Sequence, residues 1–152
     1  MRNLAAHSFL TLLFVLSITT TACHQDDSST SPADELQQQV STGDWVITSF
    51  VDSGKDETNH FTGYTFSFED NGLLKAIKGS TTIQGSWSIT DNHGNDDNPG
   101  SDVDFNIRFT SPSDFEDLTE DWQVINRSAD RIELVHVSGG NGGTDYLTFE
   151  RA

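Results

Sequence analysis

The residues able to do chemistry are unevenly spread along this sequence. The densest run is Asp91-Asn92-His93-Gly94-Asn95-Asp96-Asp97-Asn98-Pro99-Gly100-Ser101-Asp102, an oxygen-rich stretch of the kind that can hold calcium. The EF-hand loop wants glycine at its sixth position and glutamate at its twelfth. Counted from Asp91, those positions hold Asp96 and Asp102. A solvated hairpin loop is therefore the simpler reading of the acidic segment 91–104, with a weak calcium site as the alternative. A second acidic group is Glu116, Asp117, Glu120 and Asp121. Paired carboxylates cleave glycosides when a cleft holds them about 5–10 Å apart. Here they fall in a polar connection, which reads as a solvated face. His60, His93 and His136 are too scattered for a metal-ligand spacing, so no metal site is expected. His136 follows Leu134 at strand spacing, but Val135 and Val137 flank it, so the sequence leaves its side of the strand open. No serine sits in a Gly-x-Ser-x-Gly elbow, and no phosphate-cradling loop is present. The expectation is a protein that is not an enzyme and needs no cofactor.

The single cysteine excludes an internal disulfide and any multi-cysteine zinc site, and its position gives it another use. Met1-Arg2-Asn3 is a short positive start, and Phe9 to Ile18 is apolar apart from Thr11 and Ser17. Ten residues at about 1.5 Å rise cover only half of a ~30 Å hydrocarbon core, a length that suits a signal peptide and not a permanent span. Thr19-Thr20-Thr21-Ala22-Cys23 then resembles a bacterial lipobox, in which the cysteine is diacylated on sulfur and becomes the new N-terminus. Ordinary cleavage after Ala22 is the alternative, since Thr20 and Ala22 are both small, and it would leave an exposed thiol. The resemblance implies a signal peptide at 1–22, a membrane anchor at Cys23, and an acidic tether at 23–31. His24-Gln25-Asp26-Asp27-Ser28-Ser29 resembles the surface-export signals of Bacteroidetes lipoproteins, which implies an outer-membrane location with outward display.

Charge narrows the partners. The chain has 8 basic and 24 acidic residues, a formal charge of -16, and Arg2 is the only basic residue ahead of Cys23. A surface of that sign repels phosphate backbones and anionic lipid, so nucleic acid is not an expected partner.

The elements that must position any site read almost entirely as strands. Ser31-Pro32-Ala33-Asp34 starts a short helix over 32–39: serine caps, proline suits the first position, and Leu36 and Val40 share a face. Beyond it the apolar period is two. Val103, Phe105, Ile107 and Phe109 alternate with polar residues, as do Tyr64, Phe66 and Phe68. Ile83, Trp87 and Ile89 follow the same rule, with Gly85 leaving a gap in their row. Asp70-Asn71-Gly72 and the Gly139–Gly143 run mark turns. The predicted strands are 44–52, 61–69, 73–79, 82–90, 102–110, 121–127, 131–138 and 144–151. Ser113-Asp114-Phe115-Glu116 reads as a capping box with one helical turn, its Phe115 and Leu118 lying over a barrel end. The fold class is thus all-β: one eight-stranded antiparallel up-and-down barrel over 32–152, with a short N-terminal helix and one helical turn before the sixth strand. Eight strands suffice to close a barrel and remove its edges.

Gly43-Asp44-Trp45 opens the first strand directly after the helix, and this resembles the Gly-x-Trp arrangement of lipocalins. Trp45-Val46-Ile47, Phe61-Thr62-Gly63-Tyr64-Thr65-Phe66 and Gly85-Ser86-Trp87 extend the likeness to the lipocalin-like lipoproteins common in Bacteroidetes. The resemblance implies that Gly43 and Trp45 close one end of the barrel. It also implies a lipid-anchored binding module for a small apolar or amphipathic ligand, with Tyr64, Phe66, Trp87 and Trp122 as candidate lining residues. The alternative is an envelope protein with a filled barrel that meets proteins or glycans through its acidic loops. Eight of the ten phenylalanines, all three tryptophans and both tyrosines follow Cys23, enough to fill such an interior outright.

Overall fold

The computed structural model describes residues 30–91, 103–139 and 142–152. The signal segment 1–22, Cys23, nearly all of the tether, His93 and the acidic run 92–102 lie outside the described residues.

Helix α1, Pro32–Ser41, begins as its sequence dictates. The Ser31 hydroxyl accepts the Asp34 amide at 3.1 Å, and the Asp34 carboxylate accepts the Ser31 amide at 3.4 Å, closing a capping box. Ala33, Leu36 and Val40 form its buried stripe. The strands that follow are β1 Asp44–Asp52, β2 Lys55–Asp56, β3 Thr65–Phe68, β4 Leu73–Lys78, β5 Thr81–Asp91, β6 Val103–Arg108, β7 Asp121–Ser128, β8 Arg131–Val137 and β9 Thr144–Arg151. Successive strands pair antiparallel, except that the tiny β2 pairs only with β1 as a hairpin spur. The seam closes: β1 pairs with β9 from Trp45↔Arg151 to Val51↔Tyr146, and the Ala152 amide reaches the Asp44 carbonyl at 3.1 Å. The result is an eight-stranded antiparallel barrel of β1 and β3 to β9 in which the last strand meets the first.

Three local expectations are revised. The second strand begins at Thr65 and not at 61, because Thr58–Phe61 winds into a 3₁₀ turn and Gly63 follows at φ +82°. Glycine adopts that left-handed backbone at no steric cost, and the reversal frees Phe61 to turn into the barrel. The β1–β2 hairpin was not expected. Ser53 and Gly54 both take positive φ, 49° and 86°, as the favoured two-residue hairpin turn requires. Helix α2, Ser113–Glu116, starts one residue early, with Pro112 as its N-cap, so Ser113 makes no side-chain cap and the expected box does not form. The Pro112 carbonyl accepts the Phe115 and Glu116 amides instead.

Both ends are covered. At one end α1 lies over the barrel, tied down by Arg127–Glu35 at 2.8 Å and by the Arg151 guanidinium donating to the Gln39 carbonyl at 3.0 Å. At the other, the 3₁₀ turn and α2 deliver Phe61, Phe115 and Leu118, all buried. Between them the rings Trp87, Phe68, Phe149, Phe66 and Phe115 run in unbroken contact, with centroid spacings of 5.4, 5.5, 5.5 and 6.2 Å. Such pairs add about 0.5–1.5 kcal/mol each beyond simple burial.

Candidate functional site

Of the four candidate lining residues, three are core. Phe66 and Trp122 have no exposed surface, and Trp87 is buried with its indole N–H donated to the Glu69 carbonyl at 2.9 Å. Trp122 donates to the Leu118 carbonyl at 3.1 Å and stands edge-on to Phe50. Tyr64 is half-buried at the rim, its ring 5.1 Å from Phe115 and beneath the Lys78 ammonium. These four residues therefore pack on other side chains, and Phe115 occupies the barrel mouth.

Gly43 and Trp45 lie at the α1 end. The Trp45 indole N–H donates to the Val40 carbonyl at 2.9 Å, which ties the helix to the first strand. The Arg151 guanidinium stacks 4.0 Å above the Trp45 ring. Gly43, at φ +76°, lets that arginine pass: a Cβ there would stand 3.0 Å from Arg151 Nη1. Arg151 was not singled out from the sequence. It reaches Trp45 only because the last strand closes on the first.

The groups with chemical potential gather at the α2 end. His136 shares the inward row of Ile132 and Leu134, which settles the side that the sequence left open. Its ring stands edge-on to Trp122, with centroids 6.2 Å apart. Glu120 and Asp121 enter from the start of β7. Their approach is fixed because the Glu120 carbonyl accepts the Ile107 amide, and the Thr119 hydroxyl bridges both backbone groups of Phe109. His136 Nε2 then lies 3.3 Å from Glu120 Oε2, and Nδ1 lies 3.4 Å from Asp121 Oδ1 and 3.4 Å from the Asp121 carbonyl. Partial burial pushes the Glu120 carboxyl above its usual range. His136 counters that rise, while Asp121, Asp145 and Asp52 add to it. Glu120 and Asp121 also border a cleft of about 320 Å³, with Asn106, Ile107, Arg108 and Thr119 on its other sides.

Neighbouring groups are committed to structure. Asp145 is buried and accepts the Ser53 amide at 2.7 Å, which holds the β1–β2 turn against β9. Glu57 is buried between Lys55 and His60, the latter 3.2 Å away. Asp117 stands near Asp52, Asp114 and Glu57, and its carboxyl is raised first by desolvation and then by those like charges. Of the acidic group read from the sequence, the structure brings Glu120 and Asp121 to one imidazole and leaves Glu116 exposed on α2.

No protein-family model and no curated protein matches this sequence. Among solved structures the chain is similar to a DUF4847 family protein from Bacteroides vulgatus ATCC 8482, at 16% identity and a TM-score of 0.45, over 77% of this chain and 97% of that one.

Proposed function

We propose that this chain is an exported lipoprotein of the bacterial envelope, acylated at Cys23. In this reading its lipocalin-like barrel is a filled, non-catalytic scaffold that meets envelope proteins or glycans through its acidic exterior. The observation that carries this reading is the continuous aromatic column from Trp87 to Phe115, capped by α1 at one end and α2 at the other. A carrier of small apolar ligands needs room beside those rings, and the rings themselves stand in it. The lipocalin-like name is supported by the closed meander and by Gly43-x-Trp45 at the head of β1. The anchor rests on the apolar run and lipobox-like stretch ahead of Cys23. Among the described residues no helix is long and apolar enough to cross a membrane. Outer-membrane display rests on the acidic stretch after Cys23.

Two experiments test the proposal. Labelled palmitate enters the wild type and not Cys23→Ala; equal labelling of both defeats the anchor. Fatty acids titrated against intrinsic tryptophan fluorescence give no saturable change; saturable quenching lost in Trp87→Ala restores the carrier reading.

A further inference from the structure

We propose that His136 and Glu120 ligate a divalent transition-metal ion, zinc by the chemistry of the donors, and that Asp121 orients the imidazole for it. A neutral imidazole has one N–H and one lone pair, so the two carboxylates flanking this ring cannot play the same part. With Nδ1–H given to Asp121, whose side chain and carbonyl both lie 3.4 Å away, the Nε2 lone pair points to the Glu120 side. There the Nε2 to Oε2 distance is 3.3 Å. Zinc bonds imidazole nitrogen and carboxylate oxygen at about 2.0–2.2 Å, and tetrahedral geometry then places two such ligands roughly 3.3–3.5 Å apart. Carboxylate on one ring nitrogen and metal on the other is the arrangement that fixes tautomer and ring orientation at zinc sites.

Two further features fit a cation. The ligand atoms of Glu120, Asp121 and His136 all lie within 4.8 Å of one another, and the charges of Asp52 and Asp145 also bear on Glu120. A neutral imidazole offsets none of that negative charge, whereas a dication offsets half of it. Glu120 is part-exposed and Asp121 exposed, so water reaches the cluster to complete the coordination shell. Imidazole with carboxylate favours zinc and its neighbours over calcium or magnesium, which take oxygen alone. The competing arrangement is an imidazolium hydrogen-bonded to both carboxylates with no metal.

The test uses the full chain, stripped with a chelator and titrated calorimetrically with zinc chloride. The wild type takes up one zinc at this site, and His136→Ala and Glu120→Gln each abolish measurable uptake. Asp121→Asn weakens it roughly 10- to 100-fold, the usual cost of losing an orienting partner. His93→Ala, in the acidic segment, leaves binding unchanged. Circular dichroism confirms that each variant is folded. Independently of any variant, the Nε2 nitrogen resonance of wild-type His136 moves on zinc addition. Absence of zinc uptake by the wild type, uptake unchanged in His136→Ala, or a stationary His136 resonance overturns the site. An Asp121→Asn loss as complete as that of His136→Ala makes Asp121 a ligand and overturns its assignment as the orienting group.

Discussion

Replacing Phe115 by alanine removes the ring that stops the barrel mouth, and the structure sets the size of the effect. Phe115 is 2% exposed and meets Phe61 at 5.3 Å, Tyr64 at 5.1 Å, Phe66 at 6.2 Å and Phe109 at 5.1 Å. Core Phe→Ala substitutions cost about 3–5 kcal/mol, the spread depending on how far the site can collapse. Four ring contacts argue for the upper part of that range. The position argues for the lower, because α2 is a single turn on a connection that can sink into the gap. The expected loss is about 3 kcal/mol. Against a typical domain stability of roughly 5–15 kcal/mol the variant remains folded. Urea unfolding followed by tryptophan fluorescence reads it directly, as a lower midpoint with an unchanged slope. The melting temperature falls by roughly 10–15 °C. Phe115→Leu should lose less than half as much, since it keeps most of the apolar volume. A loss under about 1 kcal/mol for Phe115→Ala means that the ring does not plug the barrel.

Other perturbations probe other joints. Gly85→Ala brings a Cβ to 2.4 Å from the Arg108 carbonyl oxygen and 2.7 Å from the Phe109 ring, so it costs about 1–3 kcal/mol in the same urea assay; a neutral result contradicts the close approach of β5 and β6. Trp45→Phe leaves the Val40 carbonyl without its indole donor and weakens the stacking of Arg151, for a loss of about 1–3 kcal/mol, and amide exchange in α1 should speed up with it. Asp117→Asn tests the acidic end. Because the folded carboxyl is raised above its unfolded value, the folded state holds its proton more tightly, and wild-type stability drops as pH rises through that raised value. The variant is therefore more stable than wild type at pH 7. The two converge in acid, where the carboxyl is protonated in both states. A gap that widens on acidification reverses the sign and refutes the assignment.

Much of the wall was legible because strand alternation depends on neighbours in sequence. Val103, Phe105 and Ile107 are buried as the period of two requires, and Asn71-Gly72 makes its turn with Gly72 at φ +83°. The gap that Gly85 leaves in its row also has a cause: the ring of Phe109 and the backbone of Arg108 stand where a side chain would go. What the alternation of strands could not disclose is how full the cylinder is. Phe61 and Phe115 come from a 3₁₀ turn and a short helix, and they close the mouth. The sequence placed Phe115 over an end but gave no measure of the space beneath it. The His136 cluster was hidden for a different reason. A bulge between Val124 and Asn126 shifts the β7–β8 register by one residue, which brings His136 beside Trp122 and so within reach of Glu120 and Asp121. Without that shift, counting back from the turn at 129–130 puts another residue there. Arg151 over Trp45 depends on closure of the barrel, a contact between the two ends of the sheet that no local pattern reports.

The filled scaffold requires that side chains occupy the barrel interior. Xenon pressurisation of a crystal measures this most directly, since xenon settles in apolar voids large enough to admit it. A filled barrel admits no xenon among Phe66, Phe68, Trp87, Phe105 and Phe149 in the wild type. A well-occupied xenon position along the wild-type axis would show a chamber where packed rings are described, and the filled scaffold would give way to a carrier.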